Sequence, residues 1–134
     1  MKVSTKGRYA LMIMIYLAQH YKEDRYITLK EISQKEGVSL KYLEKIIVLI
    51  NKDDYLLSLR GSDGGYKLSQ EPKKYKAYDI IQKAEGDITI SSCLNANFEC
   101  CKRAKCRSYK LWNELNNVII NFLESKTLDE FVEE

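Results

Sequence analysis

Apolar residues recur every three or four positions from Ser4 or Thr5 onward, the spacing of one face of an α-helix. These recurring residues are Ala10, Ile13, Met14, Leu17 and Ala18. The pattern predicts a first helix whose apolar stripe lies in a core. The polar stretch 22–25 that follows predicts a loop.

Two shorter helices separated by a tight turn are predicted next. Thr28 is followed three residues later by Glu31, the capping-box spacing that starts a helix at residue 29. Gly37 suits the left-handed position that ends this helix, and Ser39 can cap the next one. The third helix is expected to bury Leu40, Leu43, Ile47 and Ile50. This arrangement is typical of a helix-turn-helix, although an ordinary helical hairpin has the same pattern.

A hairpin pattern follows directly. Residues 55–60 and 66–69 are predicted strands, and the glycine-rich stretch 61–65 between them predicts a turn. A hairpin immediately after a helix-turn-helix is typical of a wing. We expect Arg60, at the tip, to enter a minor groove, where a planar guanidinium fits the concentrated negative potential.

The C-terminal part contains one long amphipathic helix. Pro72 marks the end of the wing, 78–84 predicts a short helix stopped by glycine, and 88–90 predicts an extended piece. Residues 108–125 predict the long helix, and a capping box at Thr127 starts a last short one. The apolar stripe of the long helix comprises Leu111, Trp112, Leu115, Val118, Ile119, Phe122 and Leu123. It is wider than one small domain needs, which favours a homodimer over packing onto the same chain.

These elements predict a mainly α fold: a winged helix-turn-helix with a two-stranded wing and a long C-terminal dimerisation helix. Residues 1–76 are predicted to form the DNA-binding domain. Residues 77–107 would hold the short helix and a cysteine-rich loop, and residues 108–134 the dimerisation helix and the last short helix.

The distribution of charge favours a polyanionic partner for the first segment. The net charge is only +3, but residues 1–76 carry 15 basic and 9 acidic side chains, whereas residues 77–134 carry 7 and 10. A solvated lysine-rich surface would give the same count. No long apolar run and no signal peptide is evident, so we expect a cytoplasmic protein without a membrane partner.

All four cysteines, Cys93, Cys100, Cys101 and Cys106, lie in one basic stretch. Because cytosolic thiols stay reduced, such a cluster indicates metal binding or redox chemistry rather than a disulfide framework. The spacing is neither C-x2-C nor that of a ferredoxin, so spacing alone identifies no metal. A C-x-x-C motif, a nucleophile beside a positioned base and a phosphate-binding glycine loop are all missing, so no enzyme is predicted.

Four stretches together resemble the Rrf-type winged helix-turn-helix transcription regulators, the group that includes IscR, NsrR and CymR. They are STKGRYA at 4–10, SLKYLE at 39–44, RGSDGGY at 60–66 and LW at 111–112. The resemblance implies a homodimer that binds double-stranded operator DNA. It implies major-groove contacts by Ser39, Lys41, Tyr42, Glu44 and Lys45, a minor-groove contact by Arg60, and phosphate contacts by Lys6 and Arg8, with Thr28 also in the DNA-binding set.

The resemblance also gives the cysteine loop a cofactor. Cluster-binding members similar to IscR hold a [2Fe-2S] centre with three cysteines of this loop, and Cys93, Cys100 and Cys106 match them. This favours a cluster that senses iron–sulfur or redox status over zinc. The fourth ligand departs from the family: Tyr109 stands where these members have a histidine, and Arg8 where members similar to NsrR have an aspartate. Cys101 is the obvious substitute.

Two further mechanisms remain open. Members similar to CymR regulate cysteine metabolism without a cluster, through complex formation with a cysteine-biosynthetic enzyme. Reversible oxidation of the thiols themselves would be another switch.

Overall fold

The computed structural model describes residues 3–95, 99–100 and 102–132. Its helices are α1 (Thr5–Gln19), α2 (Leu29–Glu36), α3 (Leu40–Ile50), α4 (Ala77–Glu85) and α5 (Tyr109–Ser125). Its strands are β1 (Leu56–Leu59) and β2 (Gly65–Leu68). Short 3-10 helices span Tyr21–Glu23, Lys52–Asp54, Pro72–Lys74, Ser92–Leu94, Arg103–Lys105 and Leu128–Phe131. The mainly helical winged helix-turn-helix is therefore confirmed.

The helix ends follow the predicted caps. The Thr28 hydroxyl accepts from the backbone N–H of Glu31 at 3.0 Å, and the Ser39 hydroxyl accepts from that of Tyr42. Gly37 has a φ of 67°, the left-handed conformation that ends α2 with little steric cost only for glycine. The turn between α2 and α3 is thus specified locally.

The core lies between α1, α3 and α4 and the base of the wing. The predicted stripe of α1 is buried throughout, and Leu43, Ile47 and Ile50 of α3 are buried as expected. The prediction for Leu40 is wrong, because its side chain is 37% exposed in the first turn of α3. Ile46, which was not predicted to be in the core, is buried. α4 packs against α1, so it joins the same core as the helix-turn-helix.

The wing is a short antiparallel hairpin in which Leu56 pairs with Leu68 and Leu59 with Gly65. β1 is shorter than predicted, and β2 has the predicted length but begins and ends one residue earlier. The hairpin is also tied to the chain before α2, since Ile27 and Tyr66 exchange two backbone hydrogen bonds of 2.8 Å. These bonds fix the wing relative to the helix-turn-helix.

The C-terminal helices agree with the expectation. Residues 88–90 belong to neither a helix nor a strand ladder, and the capping box at Thr127 is complete and starts the predicted last short helix, a 3-10 helix. The long helix begins at Tyr109, close to the predicted start. Among the helices that the structure describes, none combines the length and the apolar character needed to cross a membrane.

Candidate DNA interface and cysteine loop

The exposed face of α3 carries the side chains expected to contact bases. Lys41, Glu44 and Lys45 are exposed at positions that share one side of the helix. Val48, which is 66% exposed, continues the same face one turn further on. Sequence reasoning missed Val48 because it stands inside an apolar run; its i, i+4 spacing from Glu44 is the signal that identifies it. Within the described chain Glu44 forms no ion pair, so Lys41 and Lys45 do not neutralise it.

The hydroxyl residues of the candidate interface have a second role as helix caps. Thr28 and Ser39 are exposed, and each uses an oxygen lone pair for its cap. The hydroxyl proton remains available for donation to a base or phosphate. Tyr42 is only half exposed, because its ring packs edge-on against Tyr9 with centroids 5.4 Å apart.

A polar network joins α2 to α1 behind this face. The Glu31 carboxylate accepts hydrogen bonds from both terminal nitrogens of Arg25, at 2.8 and 3.1 Å, and from the Tyr16 hydroxyl at 2.8 Å. The Arg25 hydrogen bond is the main cause that lowers the pKa of Glu31. Burial, followed by the Glu31 hydrogen bond, raises the pKa of Tyr16 to about 12. Glu31 therefore does not close the predicted capping box but fixes α2 on α1.

Three cationic side chains extend the candidate interface beyond α3. Arg60 is exposed immediately after β1, at the start of the wing turn. Lys6 and Arg8 are exposed in the first two turns of α1. All three are accessible to a polyanion.

The cysteine loop lies between α4 and α5. Cys93 and Cys100 are half-buried, Cys106 is exposed, and these three thiols are free. The Cys93 Sγ lies 3.1 Å from the Ser91 hydroxyl, and the Cys106 Sγ lies 3.5 Å from that of Ser108. Hydrogen bonding by Ser108 lowers the pKa of the Cys106 thiol, which favours the thiolate that binds metals.

Arg103 holds the two ends of this loop together. Its guanidinium donates to the Cys93 carbonyl oxygen and lies 5.3 Å from the centroid of the Tyr109 ring. The Tyr109 ring is therefore engaged in a cation–π contact with Arg103. The other basic side chains of the loop, Lys102, Lys105 and Arg107, are exposed, as is Lys110 in the first turn of α5.

The donor set suits an iron–sulfur cluster by its chemistry, since free thiols surrounded by cations favour an anionic thiolate centre. The described residues do not, however, bring three cysteine, histidine or acidic side chains together at one point. Cys101, the predicted substitute ligand, lies outside the described residues. His20 is at the end of α1, where it contacts Glu23 and packs on Tyr16.

The segment before the loop is anchored to α5 by a buried amide. Asn116 is the single buried side chain of α5, and its Oδ1 accepts from the backbone N–H of Ile90 at 3.1 Å. This bond ties the chain just before Cys93 to the long helix. Sequence reasoning missed Asn116, because a polar residue in an amphipathic helix is normally exposed.

One side of α5 is an exposed apolar stripe. Leu111, Leu115, Val118 and Phe122 follow each other at intervals of three or four residues, and Phe122 is 59% exposed. Next to the stripe, a groove of about 580 Å³ is lined by Ile90, Ser91, Trp112, Leu115 and Ile119. A contiguous exposed apolar surface of this kind marks an interaction site.

Known proteins similar to this chain are transcription regulators. Residues 3–134 match the model of the Rrf2 family, described as an iron-dependent transcriptional regulator. The regulator IscR of Pectobacterium atrosepticum is 32% identical over 132 residues, which cover 98% of this chain and 79% of that protein. IscR of Vibrio cholerae is 30% identical, covering 98% of this chain and 75% of that protein. None of these names denotes an enzyme, in agreement with the prediction.

Two solved structures are similar over nearly the whole fold. CymR, the global cysteine regulator of B. subtilis, is 36% identical with a TM-score of 0.78, covering 96% of this chain and 94% of that one. T. potens IscR is 35% identical with a TM-score of 0.71, covering 96% of this chain and 84% of that one. The sequence, the fold and these relatives agree: the chain belongs to the Rrf2 family of DNA-binding transcription regulators.

Proposed function

We propose that this regulator binds operator DNA as a homodimer, and that a [2Fe-2S] cluster held by Cys93, Cys100 and Cys106 controls its DNA affinity. The observation that carries the proposal is the position of the cysteine loop. It connects α4, which packs on α1 of the DNA-binding unit, to α5 with its exposed apolar stripe. A conformational change in the loop could therefore affect both the DNA-binding unit and α5.

The DNA side of the proposal rests on the exposed polar and cationic side chains. Lys6 and Arg8 supply sequence-independent attraction to phosphate, and Arg60 suits the minor groove. On α3, Lys41 and Lys45 can donate to guanine, while Glu44 can accept from cytosine N4. Thr28, Ser39 and Tyr42 add hydroxyl groups at the edge of this face. We propose that two such faces read the two half-sites of a palindrome.

The cluster side rests on donor chemistry and on the relatives. Three free thiols lie on one basic loop, and several relatives carry the name IscR. When bound, a cluster supplies a centre whose presence depends on iron, sulfide and oxidation state. The described thiols do not form a group of three ligands, so Cys93, Cys100 and Cys106 would have to come together to hold it.

Anaerobic purification with iron and sulfide assays tests this cofactor. We expect a coloured protein with visible absorption, and loss of iron from the single Cys93→Ala, Cys100→Ala and Cys106→Ala variants. Colourless protein that cannot be reconstituted would remove the cluster from the proposal. Zinc in place of iron would assign the site to the less favoured metal.

A second candidate function is cluster-free regulation of cysteine metabolism. It is favoured by the match to CymR of B. subtilis, which this chain covers to 94% of its length, against 79% for IscR of P. atrosepticum. In that case a cysteine-biosynthetic enzyme would be the partner. Retention of such an enzyme on the immobilised regulator, unaffected by the cysteine variants, would establish this candidate in place of the cluster.

A further inference from the structure

Glu85, the last residue of α4, lies against the beginning of α1. Its Oε1 accepts a hydrogen bond from the Ser4 hydroxyl at 2.5 Å and from the backbone N–H of Gly7 at 2.9 Å. Ser4 is itself the N-cap of α1 and accepts from the N–H of Lys6. One carboxylate thus completes the capping of a helix that lies 78 residues away from it in the chain.

The location of Glu85 is unfavourable within its own helix. A carboxylate at the C-terminal end of α4 faces the negative end of that helix dipole, whereas at the N-terminus of α1 it meets the positive end. Among the described residues, Glu85 has no ion-pair partner. The stabilising interactions of this carboxylate are therefore those with α1.

Gly7 makes the close approach possible. A Cβ on Gly7 would lie 2.7 Å from the Glu85 Oε1 and 3.0 Å from its Cγ, so a larger residue at position 7 would displace the carboxylate from its present position. Gly7 is buried, while its neighbours Lys6 and Arg8 are exposed on either side of it. The residue between two candidate phosphate-binding side chains is thus held in place by Glu85.

We propose that Glu85 is a positioning residue for DNA binding: it fixes the N-terminal turn of α1 so that Lys6 and Arg8 reach the phosphate backbone. This inference rests on the proposed phosphate contacts of those two residues. It also gives α4, which leads directly into the cysteine loop, a hydrogen-bonded connection to the DNA interface.

The direction in which removal of Glu85 changes DNA affinity distinguishes a positioning role from a purely electrostatic one. If Glu85 acted only through its charge, its removal would strengthen DNA binding, because a carboxylate near Lys6 and Arg8 repels phosphate. If Glu85 positions these residues, its removal weakens binding in spite of the lost negative charge. A merely structural role would lower the melting temperature without changing the salt dependence of binding by the folded protein.

The experiment compares Glu85→Ala, Glu85→Gln and the control Asp87→Ala by fluorescence anisotropy over a salt series. The probe is a duplex selected from random-sequence DNA with the wild-type protein. For Glu85→Ala we expect affinity about tenfold weaker near ~0.1 M salt and a salt slope smaller by about one, as for one lost phosphate contact. Glu85→Gln keeps an acceptor oxygen and should lie between Glu85→Ala and the wild type. Asp87→Ala, which removes an exposed carboxylate nearby, should bind at least as tightly as the wild type.

The same series in the Arg8→Ala and Lys6→Ala backgrounds completes the test. Glu85→Gln should have a smaller additional effect there, since the contact it positions is already missing. Because it uses Glu85→Gln, this comparison still tests the positioning role if Glu85→Ala does not fold. If Lys6→Ala and Arg8→Ala leave binding unchanged, the proposed phosphate contacts fail and the inference fails with them. If those variants weaken binding but both Glu85 variants bind as tightly as the wild type with an unchanged slope, the positioning role alone is overturned.

Discussion

Glu31 illustrates how far a local pattern determines the role of a single side chain. The spacing from Thr28 correctly predicts the start of α2, and the Thr28 half of the capping box is present. The other half is missing because Arg25 and Tyr16 compete for the Glu31 carboxylate. Tyr16 is contributed by a different helix, so no local pattern could have indicated this contact.

The Glu31 network gives stability a defined pH dependence. Its pKa is lowered in the folded state, so its contribution is fully present above the ordinary glutamate value and is lost as pH falls through the folded value. We expect Glu31→Gln to lower the free energy of unfolding by about 1–2 kcal/mol at neutral pH, allowing for the partial exposure of the pair. The difference from wild type should shrink in acid. Urea unfolding at several pH values checks this, and a difference that grows in acid would contradict it.

Arg60 is the single side chain that the minor-groove proposal depends on most. Replacing it by alanine should weaken DNA binding and reduce the salt slope by about one, because one contact in a region of strong negative potential is lost. Lys73→Ala is a matched control, since it removes an exposed cation that pairs with Glu71. Equal effects of the two substitutions on affinity and slope would show that only net charge matters.

The wing shows what sequence patterns indicate about an element and what they leave out. Glycines flanked by strand-forming residues correctly predict the hairpin, and the helix limits follow from Thr28, Gly37 and Ser39. The bridge from Ile27 to Tyr66 was not predicted, because it joins residues on either side of the helix-turn-helix. It explains why Gly65 has a φ of 139° directly beside the Ile27 backbone.

Gly65 should therefore tolerate substitution by alanine much less well than Gly61, another glycine of the wing. A Cβ at this position would lie 2.3 Å from the Ile27 carbonyl oxygen, so Gly65→Ala must displace the wing. We expect a loss of about 2–3 kcal/mol in the free energy of unfolding, together with weaker DNA binding. Gly61→Ala is the control: it also has a positive φ, but open space around the new Cβ, and should cost about 1 kcal/mol. Chemical denaturation that gives equal losses would contradict the close contact.

For the protein as a whole, α5 has one apolar side that packs on its own chain and a second apolar side that is exposed. Ile119, Ile120 and Leu123 are partly covered by the same chain, whereas the stripe from Leu111 to Phe122 is exposed. The wide apolar pattern predicted this excess surface. It did not predict that Asn116 would be the buried residue, because that depends on the path of the segment carrying Ile90.

The dimer proposal is tested on this stripe. Val118 is 64% exposed in the single chain, so a charge there should not disturb the core but should oppose burial against a second copy. We expect Val118→Glu to be folded and monomeric by light scattering and to bind palindromic DNA weakly. Asn117→Glu, on the exposed polar side of the same helix, should stay dimeric. If light scattering gives the mass of a dimer for both variants, the stripe is not the interface.

The ligand set of the cysteine loop follows from the family resemblance rather than from local sequence patterns. Cys93, Cys100 and Cys106 were selected by resemblance, and the described residues form no group of three metal-ligating side chains, while Arg103 connects the ends of the loop. Ligation depends on long-range closure of the loop around a cofactor, which local sequence spacing does not specify.

A DNA-binding titration of anaerobically purified protein, comparing wild type with each single cysteine-to-alanine variant, decides whether the loop controls the DNA interface. We predict that Cys93→Ala, Cys100→Ala and Cys106→Ala lose the cluster and share one altered DNA affinity. Cys101→Ala should behave as wild type unless it supplies the fourth ligand, in which case it joins the other three. Wild-type affinity in all four variants, whatever their iron content, would contradict control of DNA binding by the cysteine loop.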